Sequence, residues 1–219
     1  MKSNLLSLIN SLFLPISYAI ILWIIKAFEI IYKIRLHEYG ITAYSTKKII
    51  CILTFPFIHS DFNHLINNTY AILILGSIIS YVYKTISYKV FFLSYLLSGS
   101  ILWIIGDPNK TVIGASSIIY SFASFIMISG FIKKDPKLSI ISFLIIFLYG
   151  SVFWGMIPVP NKVSWEGHLS GFIAGTIIAI IFKNKGPKRK KYNWEIEEEL
   201  ESQNQMASRN LMLFNNPII

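Results

Sequence analysis

Six apolar stretches of bilayer length leave this 219-residue chain few possible folds. They fall at about residues 8–32, 62–83, 88–106, 112–132, 138–157 and 166–182, and a helix that crosses the hydrocarbon core needs about 20 predominantly apolar residues. No water is present there to take up backbone N–H and C=O groups, so each spanning segment must close its own hydrogen bonds. The pattern predicts an all-α, polytopic membrane protein, with a six-transmembrane-helix bundle over 1–186 and a short tail over 187–219. A hydrophobic content of 54% and a mean hydropathy of +0.57 agree with that class, and the length leaves no room for a second folded domain. The opening MKSNLLSLINSLFLPISYA resembles a secretory leader. Its apolar run continues through ILWII, which reads as an uncleaved first span.

Charge gives the orientation. The net charge of +9 is carried by Lys and Arg at the edges of the apolar runs and in the cluster KNKGPKRKK. No basic residues interleave with aromatics outside the spans, so the expected partner of this charge is the lipid bilayer and not a nucleic acid. With the N-terminus inside, inner segments hold Lys2, Lys84, Lys89, Lys133, Lys134, Lys137, the cluster and Arg209; outer segments hold Lys33, Arg35, Lys47, Lys48, Lys110 and Lys162. Lys and Arg in short loops are retained in the cytoplasm, which favours N-in/C-in in a bacterial plasma (inner) membrane. The aromatic-rich segment from Lys33 to Asp61 is expected to lie in the outer interface, and Lys26 and Glu29 to share a face near the outer end of the first span. The tail is expected to be weakly ordered, with a helix around Trp194 to Glu201. Cys51 is the only cysteine, which excludes an internal disulfide.

In this orientation spans two, four and six descend from the outer face, and each carries its unusual polar residues in its first turns. They read HSDFNHLINNTY, GASSIIY and SWEGHLSG. Polar groups at that depth must be satisfied by one another or by water, so the three clusters are expected to converge. Gly114, Ser117, Ser121 and Ser124 form a stripe of small residues on span four. Gly167, Gly171, Gly175 and Ala179 recur every four on span six, and such faces let membrane helices approach closely. Ser116 and His168 flank these stripes at matching depth, which allows an imidazole base to activate a serine nucleophile. Tyr120, one turn below Ser116, is placed to pack on the imidazole, whereas Glu166 is expected to point elsewhere. His64 and Asn68 share a face of span two and can donate to an oxyanion, as can the backbone N–H of Ser116. His59 reads as a structural histidine bonding the outer loop. The three histidines His59, His64 and His168 lack a carboxylate on the same faces and a His-Glu-x-x-His motif, so no metal and no cofactor is expected.

These residues resemble the rhomboid family of intramembrane serine proteases. The likeness rests on FIHSDFNHLINN, on GAS with a tyrosine four after the serine, and on GHLSGFIAG, in that order from about Thr54 to Gly175. It implies cleavage of single-pass membrane protein substrates near the outer membrane face. Ser116 would be nucleophile, His168 general base, His64 and Asn68 the oxyanion donors, and Tyr120, Gly114, Gly171 and Gly175 orienting or packing residues. The family's Gly-x-Ser-Gly reads here as Gly114-Ala115-Ser116-Ser117, a departure at the last position. That departure supports an alternative: a catalytically inactive rhomboid-like protein that binds transmembrane helices.

Overall fold

A computed structural model describes residues 2–148, 155–158, 164–187 and 193–215. Among these described residues seven α-helices follow in chain order: α1 (Lys2–Ile31), α2 (Phe62–Val82), α3 (Ser87–Ile105), α4 (Ser116–Lys133), α5 (Pro136–Leu148), α6 (Trp165–Ile181) and α7 (Asn193–Asn215). A two-residue antiparallel pair joins β1 (Ile41–Thr42) to β2 (Thr111–Val112). Among the described residues four helices are long and apolar enough to cross a membrane: Ile9–Ile31 within α1, α2, α3 and α4. The apolar helices α5 and α6 are shorter, and the part of the fifth window over 149–154 lies outside the described residues.

The fourth window begins four residues too early, because Gly114 sits at φ +104° and cannot belong to a right-handed helix. The chain divides into two compact units, Met1–Pro187 and Lys188–Ile219. In the second, α7 is longer than the eight-residue helix expected from Trp194 to Glu201. No glycine or proline interrupts 193–215, and Glu195, Glu197 and Glu198 lie near its N-terminus, where the helix dipole favours negative charge.

Within the first unit α4 is the central helix. It is apolar all round, and 72% of it is buried, against 22–39% of the 18-residue windows of the other three long helices. Phe122, Phe125, Ile118 and Ile126 are almost fully enclosed, packed with Leu65, Ile72, Leu75 and Ile79 of α2. On α1 the opposite holds: Phe13, Ile16, Ile20, Trp23, Ile24 and Phe28 are exposed, as a hydrocarbon solvent allows.

Small residues set the closest approaches. Against α4, α6 presents Gly171 and Gly175; a Cβ at Gly171 would collide with the Ser117 carbonyl and one at Gly175 with the Ser121 carbonyl and Ser124 Oγ. Gly130 of α4 meets Ser142 and the Leu138 carbonyl of α5 in the same way. Where α3 crosses α4, Ser121 Oγ donates to Ser94 Oγ at 2.8 Å, an interhelical bond of the kind worth about 1 kcal/mol in a membrane.

The segment between α1 and α2 is a structured cap made of short 3-10 turns. It is tied to the start of α4 at two places: β1 pairs with β2 in the register Ile41↔Val112, and Gly114 N–H donates to the Phe55 carbonyl at 2.9 Å. To α1 it is tied by charge. Lys26 Nζ bonds Glu29 Oε2 at 2.7 Å and donates to the His59 and Ser60 carbonyls, while Glu29 Oε1 accepts from Leu36 N–H.

Gly175→Ala is expected to destabilise the fold by about 1–3 kcal/mol, because the new methyl meets helix backbone that cannot rotate away. Thermal unfolding in detergent measures this, and an unchanged midpoint would show that α4 and α6 are not in the close contact described.

Candidate active site

Each polar cluster expected from the sequence lies at the head of its helix, and the three heads adjoin. Asp61 caps α2 by accepting from His64 N–H at 2.9 Å, which starts the helix so that His64 and Asn68 point from its first two turns. Ser164 caps α6 by accepting from Gly167 N–H. Gly114 makes the turn into α4, where its positive φ and the imidazole beside it both exclude a side chain. A Cβ there would lie 2.6 Å from His64 Cε1 and 3.6 Å from Asn68 Nδ2. The α2 pair therefore rests against the turn that delivers Ser116. Gly167 at the head of α6 approaches Val112 on the other side of that turn.

His168 is buried and held from two directions. Its ring stacks on Tyr120, with centroids 4.0 Å apart and planes 8° from parallel. Its Nδ1 lies 2.9 Å from the Gly155 carbonyl oxygen. A carbonyl can only accept, so Nδ1 carries the hydrogen and the neutral ring keeps its lone pair on Nε2. Ser116 is half-buried at the first position of α4, one turn before Tyr120 and on the same face. No hydrogen bond joins Ser116 to His168 among the described residues. Ile118 and Ile119 N–H already donate to the Ala115 carbonyl, whereas Ser116 N–H, at the first helical position, has no intrahelical acceptor and is available as a donor.

His64 and Asn68 are not equivalent donors. Ser60 Oγ donates to Asp61 Oδ2 at 2.6 Å and so presents a lone pair to His64 Nδ1 at 3.3 Å. A neutral His64 bonded in this way has its hydrogen on Nδ1. Its Nε2, the atom near Gly114, then becomes a donor only in the imidazolium or after the Ser60 contact is released. Asn68, 6% exposed, donates without any change of charge.

The remaining expectations fall as follows. Glu166 accepts from Ser164 Oγ at 2.9 Å and so is engaged away from His168. Gly171 and Gly175 are packing residues against α4. Ser117, the departure from the Gly-x-Ser-Gly pattern, buries an Oγ that has no hydrogen-bond partner among the described residues. Among the described residues no group of three or more His, Cys, Asp or Glu is arranged to hold a metal ion.

A family model described as Rhomboid domain matches residues 46–185, which covers well over half of the chain. The chain belongs to the rhomboid family. With its four long apolar helices, this rhomboid is a membrane protein. It is 27% identical over 184 residues to an uncharacterized protein of Mycobacterium tuberculosis, covering 80% of this chain and 75% of that one. It is 28% identical to an uncharacterized protein of Mycobacterium leprae, covering 80% and 72%. To the mouse Rhomboid-related protein 2 it is 27% identical over 137 residues, 58% of this chain and 45% of that one.

Two participants in this rhomboid's site escaped the sequence reading. Gly155 contributes a backbone carbonyl, which has no sequence signature, although a glycine is required there: a Cβ would collide with Tyr120 Oη and lie 2.8 Å from His168 Nδ1. His59, read as a structural histidine of the outer loop, lies beside Phe57 there and also reaches α2. Its Nε2 lies 2.9 Å from Asn68 Nδ2 and its ring meets His64 edge-on, with centroids 5.0 Å apart.

His59 is 2% exposed and stands outside the membrane-spanning helices. Burial first, then the nearby His64 and Lys26, push its pKa down from 6.5 to about 4. The unfolded chain therefore binds this proton at a higher pH than the folded one. Stability is fully present above about pH 6.5 and is lost as the pH falls toward 4, by at most about 1.4 kcal/mol per pH unit for one proton. Thermal midpoints in detergent should fall between pH 7 and pH 4.5, and His59→Gln should shrink that fall. An equal fall in both proteins would remove His59 as its source.

Proposed function

We propose that this protein is an intramembrane serine endopeptidase that cleaves single-pass transmembrane substrates near the outer membrane face. The observation that carries the reading is the state of His168: Nδ1–H held by the Gly155 carbonyl, ring clamped on Tyr120, and Nε2 left as a base. In the uncomplexed protein the Ser116–His168 bond is open, and catalytic hydrogen bonds of this kind commonly tighten only when substrate is bound.

The chemistry follows from these groups. His168 Nε2 takes the Ser116 Oγ proton as Oγ attacks the scissile carbonyl carbon, and the carbonyl π electrons move onto oxygen. Asn68 and the Ser116 N–H stabilise that oxyanion, joined by His64 when its Nε2 carries a hydrogen. Collapse breaks the C–N bond, and His168 gives its proton to the leaving amine. Water then attacks the acyl-enzyme with His168 again as base, which releases the acid and restores Ser116. In the proposed topology residues 1–186 form a six-span core in the bacterial inner membrane, with both termini and the 187–219 tail in the cytoplasm. That places the heads of α2, α4 and α6 at the outer face. The family assignment and the joined helix heads support this reading.

Purified protein in liposomes is expected to cut a single-pass substrate, and Ser116→Ala to abolish the cut. Asn68→Ala should slow turnover roughly ten- to a thousandfold with the fold retained, as loss of one oxyanion donor does. Cleavage by Ser116→Ala would exclude the dyad. Substrate-helix binding with no cleavage by the unaltered protein would favour an inactive helix-binding rhomboid, the reading to which the unpartnered Ser117 hydroxyl lends support.

A further inference from the structure

The buried histidine that precedes α2 has no part in the dyad or in the oxyanion donors, yet it is one of the least exposed polar residues of the outer end. Three contacts define it. Its ring nitrogen Nε2 lies 2.9 Å from Asn68 Nδ2. Its Nδ1 is buried beside the Phe57 carbonyl without a completed hydrogen bond. Its own carbonyl accepts from Lys26 Nζ at 2.9 Å, and the same ammonium reaches the Ser60 carbonyl at 3.3 Å. Around the ring stand the charged or titratable groups of every adjoining element: Lys26 on α1, Asp61 at the α2 cap and His64 within α2.

An amide nitrogen is a donor only, so the contact with Asn68 requires a lone pair on His59 Nε2 and the hydrogen on Nδ1, the nitrogen beside the Phe57 carbonyl. Asn68 Nδ2 has two hydrogens. With one taken by His59, the amide plane is fixed and the second is available on the side of Gly114, 3.6 Å from where a Cβ on that glycine would stand. Without His59 the amide could rotate and present its carbonyl oxygen, which would repel an oxyanion.

We propose that His59 is a positioning residue for transition-state stabilisation: it holds the Asn68 amide with its N–H toward the Ser116 turn, and Lys26 holds His59 in place from α1. This rests on the proteolytic reading of the site, which it deepens by tracing the support of the oxyanion donor through the outer cap to the first helix.

The test is a double-mutant cycle on the full chain in liposomes with a single-pass substrate, reading kcat and KM separately. His59→Ala is expected to lower kcat roughly ten- to a hundredfold at unchanged KM. His59→Gln should recover most of that loss, because its Oε1 accepts from the same amide. The double variant His59→Ala/Asn68→Ala should be no slower than Asn68→Ala alone, within about threefold. If His59→Ala does not fold in detergent, His59→Leu replaces it in the cycle, filling the ring's volume without an acceptor. Losses that multiply in the double variant, a glutamine as slow as alanine, or an unchanged kcat would each overturn the positioning role while leaving the protease reading intact. Absence of cleavage by the unaltered protein would overturn both.

Discussion

The contact between α4 and α6 is the one on which the rest of the site depends. Gly171 and Gly175 abut the carbonyls of Ser117 and Ser121, with no room for a Cβ on the α6 side. At that separation Tyr120 of α4 and His168 of α6 meet as a stacked pair. In lipid the hydrophobic effect does little to draw helices together, so close van der Waals packing of small residues is what holds this pair in register. A bulkier residue at either glycine would separate the imidazole from the α4 head.

Polar groups at the outer end follow a second constraint, that a buried donor or acceptor away from water is costly unless it finds a partner within the protein. The cap between α1 and α2 meets it by supplying carbonyls and side chains in sequence: Phe55 to Gly114, Lys26 to His59 and Ser60, Ser60 to Asp61 and His64, His59 to Asn68. A loop of this length would ordinarily be mobile. Here it is fastened to α1 by hydrogen bonds from Lys26 to the His59 and Ser60 carbonyls and from Leu36 N–H to Glu29, and to the start of α4 by the β1–β2 pair, so the α2 donors rest on a fixed support. The far end of the bundle is closed by simpler means, with Lys133 Nζ donating to the Lys183 and Lys185 carbonyls and Asp135 capping α5.

Much of this was legible in the sequence because membrane helices advertise themselves. Spacing of three and four placed the small-residue stripes on α4 and α6, and Ser116 to Tyr120 on one face. Contacts made by backbone were not legible. The Gly155 carbonyl that sets the His168 tautomer belongs to a residue whose window read only as apolar, and Tyr120 alone was expected to orient the imidazole. The contact of His59 with Asn68 was not legible, because a residue before a helix cap has no helical phase from which to infer its direction. Similarly, composition alone extended the fourth window through Val112, whereas the left-handed Gly114 delays the helix to Ser116.

The central claim is that Ser116 is the nucleophile and His168 the base that activates it. Peptide mapping by mass spectrometry after treatment with a fluorophosphonate tests it most directly. A single adduct on Ser116 is expected, with its formation lost in His168→Ala and the neighbouring Ser117 unmodified. An adduct on Ser117 or elsewhere, or labelling of Ser116 at the same rate without His168, would contradict it.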